Sequence, residues 1–403
     1  MCFNTGVVHL RNSVSVRTLF KNCAMDSLGS AGTMFALDLF KTLGETNQTG
    51  NIFISPLSIT SALAMVFLGA RGNTAAQMAK ALCLNPATDI HTDLQMFLSE
   101  INKPAAPYLL KLANRLYGEK TYSFLQEFLD STQKFYRADL VALDFIGAAE
   151  ESRDQINRWV EDQTEGKIKD LLKPGSVTSM TRLALVNAIY FKGNWLHMFD
   201  PKSTKEMPFK MNRNETKPVQ MMFQKKKFSF NYIHEYSLQI LELSYVGEEL
   251  SMFILLPQEA SDDSDPLQKL EKDLTLENIN EWTERNNMDT STDINVHLPK
   301  FKLEDNYMLN EPLCRLGMTD VFDGSLADLS GMNGQHSLFL STVVHKSFVE
   351  VNEEGTEAAA ATGAMVAFCM LREEYFVADH PFLFFIRHNK SKSILFLGRF
   401  SSP

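Results

Sequence analysis

The tightest constraint on the fold lies near the end of the chain. A strand-like run from Leu338 to Val351 passes through Asn352-Glu353-Glu354-Gly355 into fourteen residues, Thr356 to Cys369, with one charge (Glu357) and no proline. Four consecutive alanines, Ala358, Ala359, Ala360 and Ala361, favour a helix by propensity, with Thr356 ahead of them as a cap. The same residues also suit a strand with one buried face, because alternate positions Thr356, Ala358, Ala360, Thr362, Ala364 and Val366 carry no charge. The segment is therefore compatible with a loop or helix in one state and a sheet strand in another. Gly355 has no side chain to resist an abrupt reversal. As a strand, the segment would span roughly 46 Å at about 3.3 Å per residue.

Elsewhere helical periodicity runs from Phe35 to Leu43, Ser58 to Leu68 and Ile156 to Gln163. Strands are predicted at 109–117, 183–192, 251–256, 294–298, 338–351, 382–387 and 394–400, several of them apolar on both faces. Helices dominate early and strands late, which reads as α+β architecture. With no Gly/Ser-rich or Pro-rich linker and no internal repeat, one continuous domain is expected.

A net charge of −10 argues against general affinity for nucleic acid or an anionic membrane. Lys225-Lys226-Lys227 is the one concentrated basic run and reads as a solvated strand end or turn. Cys2, Cys23, Cys83, Cys314 and Cys369 are odd in number and show no metal-site spacing, so free thiols in a reducing compartment are expected. The sequons at Asn47, Asn214 and Asn389 matter only if the chain enters the secretory pathway. No signature of a hydrolase, zinc protease, nucleotide-binding loop or redox dithiol is present, and no cofactor or metal is expected.

Several motifs together carry a family resemblance. Asn51-Ile52-Phe53-Ile54-Ser55-Pro56-Leu57-Ser58-Ile59, Ile156-Asn157-Arg158-Trp159-Val160 and Asn187-Ala188-Ile189-Tyr190-Phe191-Lys192-Gly193-Asn194-Trp195 are followed by Leu298-Pro299-Lys300-Phe301, His345-Lys346, Asp379-His380-Pro381-Phe382 and Phe396-Leu397-Gly398-Arg399. In this order the set resembles the serpins, and within them the intracellular ovalbumin-like branch (clade B). The resemblance implies three β-sheets with about nine helices and an exposed reactive-centre loop, all within residues 25–403. Residues 1–24, which contain no acidic side chain, are expected to be an unstructured extension or the product of an alternative start, a mitochondrial presequence being the other reading.

The resemblance also assigns roles. Glu354, Gly355, Thr356, Glu357 and Ala358 to Ala361 match the hinge of the loop. Cys369-Met370 matches the bond attacked by a protease, with Phe368 as the alternative reactive residue. Ser55, Ser58, Asn187 and His345 match the shutter, a polar cluster beneath strands that part; His345 is read as a satisfied core histidine. The function implied is suicide-substrate inhibition of serine proteases, the targets being elastase, cathepsin G, proteinase 3 or chymotrypsin-like enzymes. A non-inhibitory binding or chaperone role is the alternative. The chain is expected to be a monomer in the cytoplasm, also reaching the outside by unconventional release, with no secretory signal. Heparin activation is not expected, since the segment after Gln77 carries only Lys80 before Asn85. One departure is that Leu371-Arg372-Glu373-Glu374-Tyr375 lacks the proline usual there and is one residue shorter, which bears on how the scissile bond is presented.

Overall fold

A computed structural model describes residues 8–104, 106–259, 265–355 and 373–403, with side chains from Ser27 onward. Ser55 starts the central helix, accepting the Ser58 amide, and Pro56 occupies the first turn where a missing N–H costs nothing. This helix is buried on nearly every face, so it belongs to the interior and not to an amphipathic surface. The described residues hold ten helices: α1 (Val8–Thr46), α2 (Pro56–Gly69), α3 (Gly72–Ala81), α4 (Ile90–Ile101), α5 (Gln126–Tyr136), α6 (Ala149–Gln163), α7 (Pro266–Asp273), α8 (Leu276–Trp282), α9 (Asn310–Arg315) and α10 (Ser330–Asn333). The count exceeds the expected nine because of short turns such as α10. The backbone of α1 is helical from Val8, where an unstructured segment was expected; no glycine or proline interrupts residues 8 to 28.

Among the described residues fifteen strands form three sheets. The six-stranded sheet has the order β1 (Ile52–Ile54), β15 (Ser393–Phe400), β14 (Phe382–His388), β9 (Leu250–Pro257), β8 (Leu238–Ser244) and β7 (Ser229–Ile233). The four-stranded sheet runs β13 (Glu373–Val377), β10 (Asp293–Pro299), β6 (Thr216–Lys227) and β5 (Lys205–Lys210). The five-stranded sheet runs β11 (Phe301–Met308), β12 (Thr342–Val351), β4 (Leu183–Gly193), β2 (Tyr108–Glu119) and β3 (Leu140–Leu143). All seven expected strands are present with ends shifted by one or two residues, except at 338. Leu338 and Leu340 are fully buried, but the strand begins at Thr342. Leu340 donates its amide to Val321 and Ser341 to Leu183, so the apolar run marks burial ahead of the ladder. Lys225, Lys226 and Lys227 form the exposed end of β6, as expected.

β4 and β12 are buried along almost their whole length because both faces are covered. Behind them lies α2. In front lies α6 with the segment that follows it, where Ile168, Leu171 and Leu172 pack with Val160 and Ile156 on Ala184, Val186, Val344 and Phe348. Lys346 fixes this cover by donating to the Lys169 carbonyl (2.8 Å) and pairing with Glu304 (2.9 Å). Cys83 and Cys314 are free thiols; the other three cysteines fall outside the described side chains. No described helix is long and apolar enough to cross a membrane.

The most buried cation is Arg399 on β15, 1% exposed. It pairs with both oxygens of Glu271 on α7 at 3.0 Å and donates to the carbonyls of Gly50 (2.8 Å) and Asn47. Burial pushes the Glu271 carboxyl up, against the pull of Arg399. Removing one member of such a pair leaves an uncompensated buried charge. Arg399→Ala is therefore expected to cost about 3–5 kcal/mol, read as a lowered urea midpoint with an unchanged slope.

Candidate functional site

β12 and β4 lie side by side and parallel, in the register Thr342↔Ala184 through Phe348↔Tyr190. Each is antiparallel to its other neighbour, β11 or β2. A parallel pair cannot be closed by a short turn, so residues 194–341 form the crossover. The seam between these two strands is where an antiparallel strand could enter and pair on both sides.

The expected polar cluster lies on this seam. His345 on β12 faces Asn187 on β4, and Asn187 in turn faces Asn114 on β2, so three polar residues form one rung across three strands. His345 is completely buried. The Ser55 amide can only donate, and it does so to His345 Nε2 at 3.1 Å. Nδ1 therefore carries the ring proton and donates to Asn187 Oδ1. The Asn187 amide donates to the Ser58 carbonyl (3.0 Å), to Ser58 Oγ and to Asn114 Oδ1. Asn114 donates to Ser61 Oγ (2.8 Å), and Ser55 Oγ donates to the Leu395 carbonyl (2.7 Å). Ser55, Ser58, Asn187 and His345 are thus brought together in one hydrogen-bonded cluster. Asn114 and Ser61 were missed; a polar residue inside the apolar strand 109–117 was the available signal.

At the upper end of β12 the chain turns sharply. Asn352 and Gly355 exchange backbone hydrogen bonds of 3.0 and 3.2 Å, and Gly355 has φ +122°. A Cβ there would sit 2.4 Å from the Gly193 carbonyl oxygen and 2.5 Å from the Trp195 amide, so only glycine fits. The turn is bound to the end of β4: the Trp195 amide donates to the Glu354 carbonyl (2.9 Å), Phe199 to the Glu353 carbonyl (2.8 Å), and the Trp195 indole to the Asn352 carbonyl (3.0 Å). Glu353, which the sequence reading passed over, is 8% exposed and meets Lys300 and Thr204 at 2.8 Å each. Burial raises its carboxyl pKa, but those two hydrogen bonds, a backbone hydrogen bond and the Lys300 charge together hold it below the ordinary range.

Glu354 and Gly355 are therefore held against the end of β4, and the chain returns at Glu373, the start of β13. The other expected residues, Thr356, Glu357, Ala358, Ala359, Ala360, Ala361, Phe368, Cys369 and Met370, lie outside the described residues.

A parallel seam crossed by a buried polar rung, with a glycine reversal at its head, defines a serpin-type sheet. The family model Serpin (serine protease inhibitor) matches residues 30–403, and the chain belongs to this family. The leukocyte elastase inhibitor of Homo sapiens is 60% identical over 380 residues, covering 94% of this chain and 100% of the relative. That of Xenopus laevis is 56% identical over the same lengths. Among solved structures, uncleaved ovalbumin superposes with a TM-score of 0.86 at 41% identity, covering 93% of this chain and 100% of its own. Maspin gives 0.86 at 37%, covering 94% and 100%. These neighbours agree with the ovalbumin-like branch read from the motifs.

Burial lowers the His345 pKa from 6.5 to about 3. The unfolded chain thus binds a proton between these values that the folded chain does not, so stability is fully present above pH 6.5 and declines as pH falls toward 3. At about 1.4 kcal/mol per pH unit, roughly 2 kcal/mol should be lost between pH 6.5 and 5 from this residue. Urea midpoints across that range should show the decline, and His345→Gln should flatten it.

Proposed function

We propose that this chain is a suicide-substrate inhibitor of serine proteases, acting on elastase-like and chymotrypsin-like enzymes such as elastase, cathepsin G and proteinase 3. The observation that carries the reading is the parallel β12–β4 seam headed by the Gly355 reversal. A chain leaving Gly355 and running back down the seam would be antiparallel to both neighbours, replacing one parallel contact with two antiparallel ones. The names of the relatives point the same way.

The steps follow from the residues. The protease serine oxygen attacks the carbonyl carbon of Cys369, the Cys369–Met370 bond breaks, and Met370 leaves with a free amine. Cys369 stays as an ester on the enzyme. Residues 356–369, now free at one end, enter the seam, and the attached enzyme is carried over roughly 46 Å. Small uncharged residues at 356 and 358–361 allow the entry without burying charge. As β4 leaves β12, the His345–Asn187 bond breaks; leaving such buried groups unpaired costs about 1–3 kcal/mol each, and this resists opening before cleavage. A small apolar side chain at Cys369 suits elastase-like pockets, while cleavage after Phe368 suits chymotrypsin-like ones. Cleavage at Arg372 would lengthen the insert and favour turnover. The chain acts as a monomer in the cytoplasm, without cofactor or heparin.

Two experiments test this. Mixing the protein with pancreatic elastase, neutrophil elastase, cathepsin G and chymotrypsin should give an SDS-resistant complex, with the cut at Cys369 or Phe368 by mass spectrometry. Clean cleavage without complex across a wide panel would favour a non-inhibitory binding or chaperone role. Thr356→Arg places a charge on the inward face and should convert trapping into turnover, raising the inhibitor consumed per enzyme trapped by about tenfold or more, which corresponds to about 1.4 kcal/mol on the insertion barrier; trapping equal to the parent would refute the register.

A further inference from the structure

β1 is an edge strand, paired to β15 on one side only. In antiparallel pairing alternate residues turn their N–H and C=O outward, and on β1 and its continuation these are Phe53 and Ser55. Side chains of the five-stranded sheet satisfy the exposed groups. The Phe53 amide donates to Tyr307 Oη (3.2 Å), Ser347 Oγ donates to the Phe53 carbonyl (2.7 Å), and the Ser55 amide donates to His345 Nε2 (3.1 Å). The Tyr307 hydroxyl donates to Asp305 Oδ2 at 3.1 Å, which leaves its oxygen lone pair for the Phe53 amide. In register, Tyr307 stands opposite His345, and the two rings lie within 14° of parallel. The rung of the seam thus continues into β11 and ends on the edge of a different sheet.

The other half of the sheet is held differently. Through Asn187 and Asn114, β4 and β2 reach the first turns of α2 at Ser58 and Ser61. The β11–β12 half is thus tied to the backbone of Phe53 on β1 and of Ser55, the cap of α2, and the β4–β2 half only to α2, at Ser58 and Ser61.

We propose that Tyr307 is a positioning residue for loop insertion, holding β11 and β12 on β1 while β4 is displaced. The proposal rests on the insertion reading above. A slot opens between two strands only when one stays as the other moves. Were β12 free to follow β4, the pair would travel together and the slot would stay shut. Losing the Tyr307 hydroxyl therefore slows insertion, although it removes a bond that lies outside the seam.

Tyr307→Phe removes the hydroxyl and keeps the ring. The reactive loop of parent and variant is nicked with papain, a cysteine protease, the cut is located by mass spectrometry, and the gain in thermal stability is followed in time after quenching. The variant is expected to gain stability at least threefold more slowly, and Ser347→Ala to be slowed in the same sense. Ile254→Val, in the core of β9 away from both anchors, controls for lost stability and should insert at the parent rate. A parental rate for Tyr307→Phe overturns the proposal. Equal slowing by Ile254→Val overturns it too, since the effect would then be general stability. If the nicked parent itself gains no stability, the insertion reading fails first, and that result is distinguishable because it needs no variant.

Discussion

The contact between β12 and β4 governs the rest of the molecule. Because the two strands are parallel, the chain joining them must be long, and residues 194–341 use that length to build half of the six-stranded sheet and all but β13 of the four-stranded one. Because both strands are covered front and back, nearly every residue on them is buried. Their buried polar groups persist only with partners: Asn187 and His345 satisfy one another and the start of α2, Lys346 meets Glu304, and Ser347 meets the Phe53 carbonyl. The histidine is consequently neutral and a single tautomer. Such a network is well ordered when complete and costly when half broken, so the two strands are held together by more than their ladder.

The head of the seam is held by a different kind of force. There the bonds are mostly to backbone carbonyls of 352–354, reinforced by the Glu353–Lys300 pair. A charge pair with Glu353 this buried is sensitive to loss of either partner, whereas the His345–Asn187 rung is made of neutral groups. The two ends of the site therefore respond to different perturbations, ionic at the Gly355 turn and protonic at the rung.

The sequence revealed much of this and missed a definable part. Ser55, Ser58, Asn187 and His345 were legible because each lies in a motif recognisable over a few residues. Strands such as 183–192 and 251–256 were legible because a doubly covered strand carries a long apolar run. Asn114, Tyr307, Ser61 and Glu353 were not, since their roles depend on register between strands far apart in the chain; Tyr307 meets Phe53 across 254 positions. Leu338 misled for a related reason: apolar periodicity reports burial, and burial there comes from Val321 and Leu183 neighbours before the ladder begins. The extra helix count reflects turns too short for periodicity to register.

The cover over the sheet straddles the seam. Ile168, Leu171 and Leu172 pack on Ala184 and Val186 of β4 as well as on Val344 and Phe348 of β12, and Lys346 pins them from the β12 side. Any movement that parted the two strands would have to shear this layer off one of them, so the sheet's resistance to separation belongs as much to its apolar cover as to the ladder beneath it.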